Sequence, residues 1–224
     1  MMRHKVSVVE GYKRWAPEYD TYANPMVAMV EHVFDDIVGE ADGQRVLELG
    51  CGTGRNLERL QEMGASGVGV DVSPDMLEVC RGKLDPDKFT LREADLTKPL
   101  GLKEGLFDLI LCSLVLEHIE DFGPLFQSVS DMLGDEGRFI LFEIHPFLRL
   151  KGSKAHYKDS TGYDHELPSF PHLISDFVSE ATNNGMALSK MKEFYGELDT
   201  PDIRAMESKY GYVPLLLSMT FGKA

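Results

Sequence analysis

Arg45-Val46-Leu47-Glu48-Leu49-Gly50-Cys51-Gly52-Thr53-Gly54-Arg55-Asn56 is the stretch on which the rest of the chain depends. The apolar run up to Leu49 has the near-continuous hydrophobicity of a strand covered on both faces of a parallel sheet. Three glycines then alternate with small residues. Lacking Cβ atoms, they permit positive φ and let a ligand come close to the backbone. A helical pattern starts at Arg55, so the free N–H groups and positive dipole end of a helix face whatever occupies the loop. The whole reads as strand, ligand loop, helix.

The spacing narrows the ligand. A dinucleotide fingerprint is G-x-G-x-x-G, and Arg55 stands where its third glycine would fall. The Lys-Ser/Thr ending of a P-loop is missing too. Nicotinamide or flavin binding, and with it an oxidoreductase, is therefore disfavoured. Glu48, Gly50, Gly52 and Gly54 instead match acid-x-G-x-G-x-G position for position, and in this the chain resembles the class I S-adenosylmethionine-dependent methyltransferases. The resemblance implies that this loop, Cys51 included, holds the methionine part of S-adenosyl-L-methionine.

Three further stretches resemble that family in order. Gly67-Val68-Gly69-Val70-Asp71 is a short strand ending in an acid, 17 residues past Gly54. The resemblance assigns Asp71 to the ribose hydroxyls, and Val72 and Met76 to the two faces of adenine. Ser73 and Pro74 open the helix that carries Met76, as N-cap and first helical residue. Lys88 to Glu93 alternates like a strand and leads into Ala94-Asp95-Leu96, where the family places an Asp that accepts from the adenine amino group. Phe107 to Ser113 is a third strong strand. Its end, from Cys112 and Ser113 through Leu114, Val115 and His118, resembles the motif beside the methyl group. The matched motifs span about residues 45–118.

Composition bounds the rest. The chain has 224 residues, 43% of them hydrophobic and 27% charged, ordinary for a globular protein. No apolar run reaches the ~18–20 residues that span a bilayer, and Met1 to Lys5 leads into no signal-like apolar segment. Three scattered cysteines, Cys51, Cys80 and Cys112, suit a reducing compartment without a zinc or other metal site, the first and last acting as small apolar fillers. The expected location is cytoplasmic, away from membranes. A net charge of −14 repels a phosphate backbone, and no basic cluster offsets it. No nucleic-acid partner is expected.

Strand and helix patterns alternate along most of the chain, which calls for right-handed crossovers and helices on both faces of a parallel sheet. Val8, Val9, Tyr12 and Trp15 mark a helix within residues 6–20. Trp15-Ala16-Pro17-Glu18-Tyr19-Asp20 resembles the lid of small-molecule methyltransferases, and Tyr19 is its candidate cofactor contact. Asn24-Pro25 begins a helix that runs to Gly39. Asp121 to Gly134 reads as a helix capped by Gly134, and Gly137 to Ile144 as a fifth strand. Residues 147–170 are long and polar, with a small hairpin expected around Asp159–Tyr163. Pro171 to Gly185 is a crossover helix with Leu173, Ile174, Phe177, Val178 and Ala181 inward. Two late strands, Ala187 to Tyr195 and Val213 to Phe221, flank a helix from Thr200. The expected architecture is a Rossmann-like, doubly wound, mostly parallel seven-stranded sheet with an antiparallel last strand. It forms one methyltransferase domain over 1–224, with a lid at 1–24 and a substrate-covering insertion at 147–172.

A methyl group on a sulfonium already has a good leaving group, so transfer by in-line displacement needs alignment and exclusion of water more than acid–base help. Where the acceptor must lose a proton, His145 is the candidate base, because it follows the fifth strand at the sheet's ligand edge. The implied activity is methylation of a small molecule, similar to the group that includes quinone-biosynthesis methyltransferases. The rivals are a non-catalytic S-adenosylmethionine-binding regulator and a methyltransferase acting on a protein partner. Neither the acceptor atom nor the oligomeric state is written in the sequence.

Overall fold

Side chains of successive strand residues point to opposite faces of a sheet, and in this chain that alternation builds two cores. The computed structural model describes residues 4–224. Its strands are β1 (His4–Lys5), β2 (Arg45–Leu49), β3 (Ser66–Asp71), β4 (Phe89–Glu93), β5 (Phe107–Ser113), β6 (Leu133–Ile144), β7 (His156–Lys158), β8 (Asp164–Glu166), β9 (Met186–Phe194) and β10 (Leu216–Lys223). Its helices are α1 (Val8–Trp15), α2 (Pro25–Val38), α3 (Arg55–Glu62), α4 (Pro74–Arg81), α5 (Gly123–Met132), α6 (Pro146–Leu150), α7 (Ile174–Asn183) and α8 (Pro201–Tyr210), with a 3-10 turn at Tyr19–Thr21.

The main sheet has seven strands in the order β4-β3-β2-β5-β6-β10-β9. From β4 to β6 neighbours are parallel, while β10 runs antiparallel to both β6 and β9. This is the expected Rossmann-like sheet, with the last strand inserted beside the fifth. In β5, Leu109 and Leu111 face the core under α2, α3, α4 and α8, whereas Ile110 and Cys112 face the core under α5 and α7. Burying both faces explains why β2, β5 and β6 read as continuous apolar runs. Strand order reverses between β2 and β5, and a crevice opens beyond their carboxyl ends at that switch point.

Local sequence sets most boundaries. The Asn24 side chain accepts from the N–H of Met26, Ser73 from Met76 and Thr200 from Ile203, capping α2, α4 and α8. Two readings are corrected. Gly134 does not cap α5: the helix ends at Met132, Leu133 is already extended, and Gly134 lies in β6. A Cβ there would come 3.2 Å from the Phe107 carbonyl oxygen, so the glycine serves close strand approach where the β5–β6 register shifts. Leu173 does not face inward. It precedes α7 with 46% of its surface exposed, and the Asp176 carboxylate accepts from its N–H.

The polar stretch after β6 is more ordered than a loop. α6 follows at once, and β7 and β8 form an antiparallel hairpin around Asp159–Tyr163. β1 adds to β8 in parallel, giving a separate three-stranded sheet. Tyr157 stacks on Trp15 with centroids 4.4 Å apart and donates from its hydroxyl to the Gly11 carbonyl. The N-terminal segment and the insertion are therefore one packed unit above the sheet edge, a contact between distant stretches that no local pattern encodes.

Candidate active site

The glycine loop is built by backbone bonds. Gly50 and Cys51 both donate N–H groups to the Val70 carbonyl oxygen, at 2.8 and 2.9 Å. Gly50, Gly52 and Gly54 all have positive φ, of 71°, 53° and 81°. Their roles differ. A Cβ at Gly52 would meet nothing within 4 Å and would project into open space, one at Gly50 would strike Val115, and one at Gly54 would strike Cys80 of α4. Gly54 thus sets how closely α3 approaches α4.

Asp71 ends β3 beside this loop. Its Oδ2 accepts from the Gly52 N–H and its Oδ1 from the Ser73 N–H, both at 2.8 Å. Burial raises its pKa, opposed by backbone N–H donors at Ser73, Gly52 and Val72. It lines a crevice of about 300 Å³ together with Tyr19, Gly50, Gly52, Val72, Met76, Asp95, Leu96 and Ser113. Asp95 is held well below the usual carboxylate range, at about 2, by Lys98 and Thr97. Val8, Val9, Tyr12, Leu114 and His118 complete the walls. Val9 is 42% exposed because it faces this space, not because α1 lacks a partner.

The remaining predicted residues lie elsewhere. Glu48 and Cys51 border a recess of about 60 Å³ behind the loop. Burial pushes the Glu48 carboxyl well up; Asn56 donates to its Oε1 at 2.7 Å, and its Oε2 has no hydrogen-bond partner. Cys112 is fully buried in the core under α5 and α7, outside the crevice and the recess. His145 lies outside both as well. It is 2% exposed; its Nδ1 accepts from the Phe147 N–H at 3.1 Å, and its Nε2 therefore donates to Glu193 at 2.9 Å. With both ring nitrogens engaged, His145 caps α6 and holds β9, and it has no nitrogen to offer a substrate.

Tyr19 reaches the crevice through its neighbour. The Asp20 carboxylate accepts from Thr53 Oγ1 at 2.7 Å and pairs with Arg55 and Lys83, which ties the 3-10 turn to the start of α3 and to the turn after α4.

On the wall opposite, sequence reasoning named Leu114, Val115 and His118 but not the pairing of His118 with Tyr12. The Tyr12 hydroxyl lies 3.0 Å from His118 Nε2, and His118 Nδ1 lies 2.7 Å from the Pro168 carbonyl oxygen. A carbonyl only accepts, so Nδ1 carries the proton and Tyr12 donates to Nε2. Burial lowers His118 to about 4 and raises Tyr12 well above its ordinary value, so both are neutral near pH 7. Leu114 adopts a left-handed φ of 58°. That strain is held by its own N–H bond to the Phe142 carbonyl and by the buried Glu143 carboxyl, whose Oε1 accepts from Val115 and Leu116. Tyr12, Tyr19 and Leu114 also border a second cavity of about 330 Å³, lined further by Trp15, Tyr22, Glu117 and Arg149. The α1 periodicity put Tyr12 on an inward face, but nothing local marked the cavity it meets.

Among the described residues no group of three or more His, Cys, Asp or Glu could hold a metal ion, and no helix is long and apolar enough to cross a membrane. Fold and site define an α/β protein with a crevice at the switch point of its sheet, the Asp71 carboxylate beside a glycine loop at its wall, and no P-loop sequence. Residues 47–141 match the family described as methyltransferase domain. An uncharacterised protein of Haemophilus influenzae is 36% identical over 110 residues, covering 46% of this chain and 43% of that protein. A ubiquinone biosynthesis O-methyltransferase of Glaesserella parasuis is 27% identical over 141 residues, covering 60% of this chain and 58% of its own length. The chain thus spans about half the length of these relatives. The crystal structure of an S-adenosylmethionine dependent methyltransferase from Mesorhizobium loti superposes with a TM-score of 0.66 at 23% identity, over 88% of this chain and 99% of the other. Over residues 47–141 the chain is thus similar to the methyltransferase domain family, and its fold is that of the S-adenosylmethionine-dependent methyltransferase structure it superposes on.

Proposed function

We propose that this protein moves a methyl group from S-adenosyl-L-methionine to a small-molecule acceptor held in the second cavity, in the cytoplasm. The observation that carries the reading is the shared wall. Tyr12, Tyr19 and Leu114 border both the nucleoside crevice and the second cavity, so two ligands would meet there. The names of relatives such as the ubiquinone biosynthesis O-methyltransferase support a small acceptor.

The crevice residues fit the cofactor. Asp71 would accept from the ribose hydroxyls, on lone pairs its backbone donors leave free. Val72, Met76 and Leu96 give apolar faces to adenine, with Asp95 at its edge. Gly50 and Gly52 give backbone without side chains, Cys51 contributes main chain only, and Ser113 and Tyr19 close the methionine end. When bound, the sulfonium supplies a methyl group open to in-line displacement by the acceptor. The protein's part is alignment and exclusion of water. The Tyr12–His118 pair is uncharged at neutral pH and fixes the wall; a histidine lowered to about 4 is a poor proton acceptor. The residues 4–24 and 147–172 then act as a joint cover.

Calorimetric titration with S-adenosylhomocysteine, against NADH as control, tests the cofactor half. Micromolar binding of the first and none of the second is expected. Tighter binding of NADH would return the chain to the oxidoreductases. Transfer of labelled methyl to a small-molecule panel tests the other half.

A further inference from the structure

We propose that Tyr12 selects an acceptor whose nucleophilic atom carries a hydrogen, a hydroxyl or a neutral amine, by offering it an oxygen that can only accept. The inference rests on the methyl-transfer reading and names the class of its acceptor.

A chain of hydrogen bonds fixes this polarity. The insertion brings the Pro168 carbonyl oxygen to 2.7 Å from His118 Nδ1. The Phe170 N–H donates to the Glu117 carbonyl at 2.8 Å, and His172 Nε2 lies 2.8 Å from the Ile119 carbonyl oxygen, so the same stretch is pinned along the 3-10 turn Leu116–His118. A carbonyl cannot donate, which puts the imidazole proton on Nδ1 and a lone pair on Nε2. Tyr12 gives its single hydroxyl proton to that lone pair, at 3.0 Å. Only lone pairs remain on the Tyr12 oxygen. Donation to His118 also polarises that oxygen and strengthens it as an acceptor. Burial holds His118 at about 4, so at neutral pH no second ring proton reverses the order.

The place of the pair gives that polarity a use. Tyr12 keeps part of its surface open and borders both the crevice and the second cavity, whereas His118 borders the crevice. The hydroxyl therefore lies at the shared wall, where the two ligands would meet. A stack on Trp15, with centroids 5.9 Å apart, and an edge contact with His118, at 5.6 Å and 83°, hold the ring there. Nearby cations are already matched, Arg149 by Glu117 and Lys154 by Glu166. Recognition at the junction thus falls to the hydrogen bond. A hydroxyl or neutral amine that gives its hydrogen to Tyr12 keeps a lone pair for the methyl group. A carboxylate or an ether sets lone pairs against lone pairs, and the desolvated acceptor on each side goes unpaired.

Trp15 is the single tryptophan of the chain and lines the second cavity, so its emission reports occupancy. The full chain, saturated with S-adenosylhomocysteine, is titrated at neutral pH with three probes. They are 2-phenylethanol, its isomer benzyl methyl ether, which keeps the heavy-atom outline and has no hydrogen to donate, and phenylacetate. The alcohol is expected to bind about fivefold or more tightly than either of the others. Tyr12→Phe, which keeps the ring, should bring alcohol and ether within about twofold by weakening the alcohol. His118→Leu frees the Tyr12 proton and should narrow the gap from the other side, tightening the ether about threefold or more. A pair that only stiffened the wall would shift all three probes together. Equal binding by the unaltered protein, no response to any probe, an alcohol preference that survives in Y12F, or an ether that gains nothing in a folded H118L overturns the proposal. Should H118L fail to fold, the wild-type series and Y12F decide. Calorimetry with S-adenosylhomocysteine separates the two readings. Absence of the alcohol preference with cofactor-product binding intact strikes Tyr12 alone; no binding of S-adenosylhomocysteine by the unaltered protein strikes the methyl-transfer reading itself.

Discussion

Asp71 works in two directions at the scale of single residues. Its oxygens hold the Gly52 and Ser73 N–H groups, and its remaining lone pairs face the crevice. Asp71→Ala should weaken S-adenosylhomocysteine about 30-fold or more, near 2 kcal/mol, by removing a charged acceptor and loosening the loop; unchanged affinity in calorimetry would discard the ribose assignment. Glu143 is the other residue with a clear signature. Burial raises it to about 8 from 4.5 although it accepts from Val115 and Leu116. The folded state therefore holds a proton that the unfolded state releases. The associated stability is complete below about pH 4.5 and is lost as pH rises through 8. Glu143→Gln keeps the acceptor oxygen and cannot ionise. It should flatten the fall in stability between those limits by roughly 5 kcal/mol, read from denaturant midpoints along a pH series. Part of the slope remains, because Glu48 is raised as well. An unaltered pH profile would place the titration elsewhere.

The contact between α3 and α4 shows how one glycine couples two elements. A Cβ on Gly54 would lie 2.4 Å from Cys80 Sγ and 3.4 Å from its Cα, and the residue has φ of 81°. Gly54→Ala therefore carries a steric cost and a backbone cost, together about 2 kcal/mol or more. Cys80→Ala in the same chain should relieve the first and leave about 1 kcal/mol of the second. A double-mutant cycle of denaturation midpoints measures the split; full additivity would mean that the helices do not press on each other there. The sequence placed the three glycines as one motif, whereas the structure divides them between Gly52 at the crevice and Gly54 at the helix junction. Spacing is local and readable, but the neighbour each absent Cβ would strike belongs to another element.

At the scale of the molecule, two distant segments pack as one unit. β1 pairs with β8, Tyr157 stacks on Trp15, and Pro168 accepts from His118, which holds Tyr12. Tyr157→Ala removes both the stack and the hydroxyl bond to Gly11, a loss of about 3 kcal/mol or more within that unit. Amide exchange should then quicken in α1 and in the hairpin together while the main sheet keeps its protection. Faster exchange in the hairpin alone would mean that the segments open independently. By itself the sequence determined the alternation of strands and helices, the glycine loop and the acid that ends β3, because strand periodicity, positive φ and helix caps are written in neighbouring residues. It also placed Cys112, at a strand end that resembles a cofactor motif, and His145, directly after a strand, near the ligand edge. Only the tertiary structure decided that Cys112 turns into the core and that His145 spends both nitrogens on α6 and β9. It likewise decided that Tyr12 faces the second cavity. Which side of a strand end meets open space depends on the elements packed beside it, and those come from parts of the chain that local patterns do not connect.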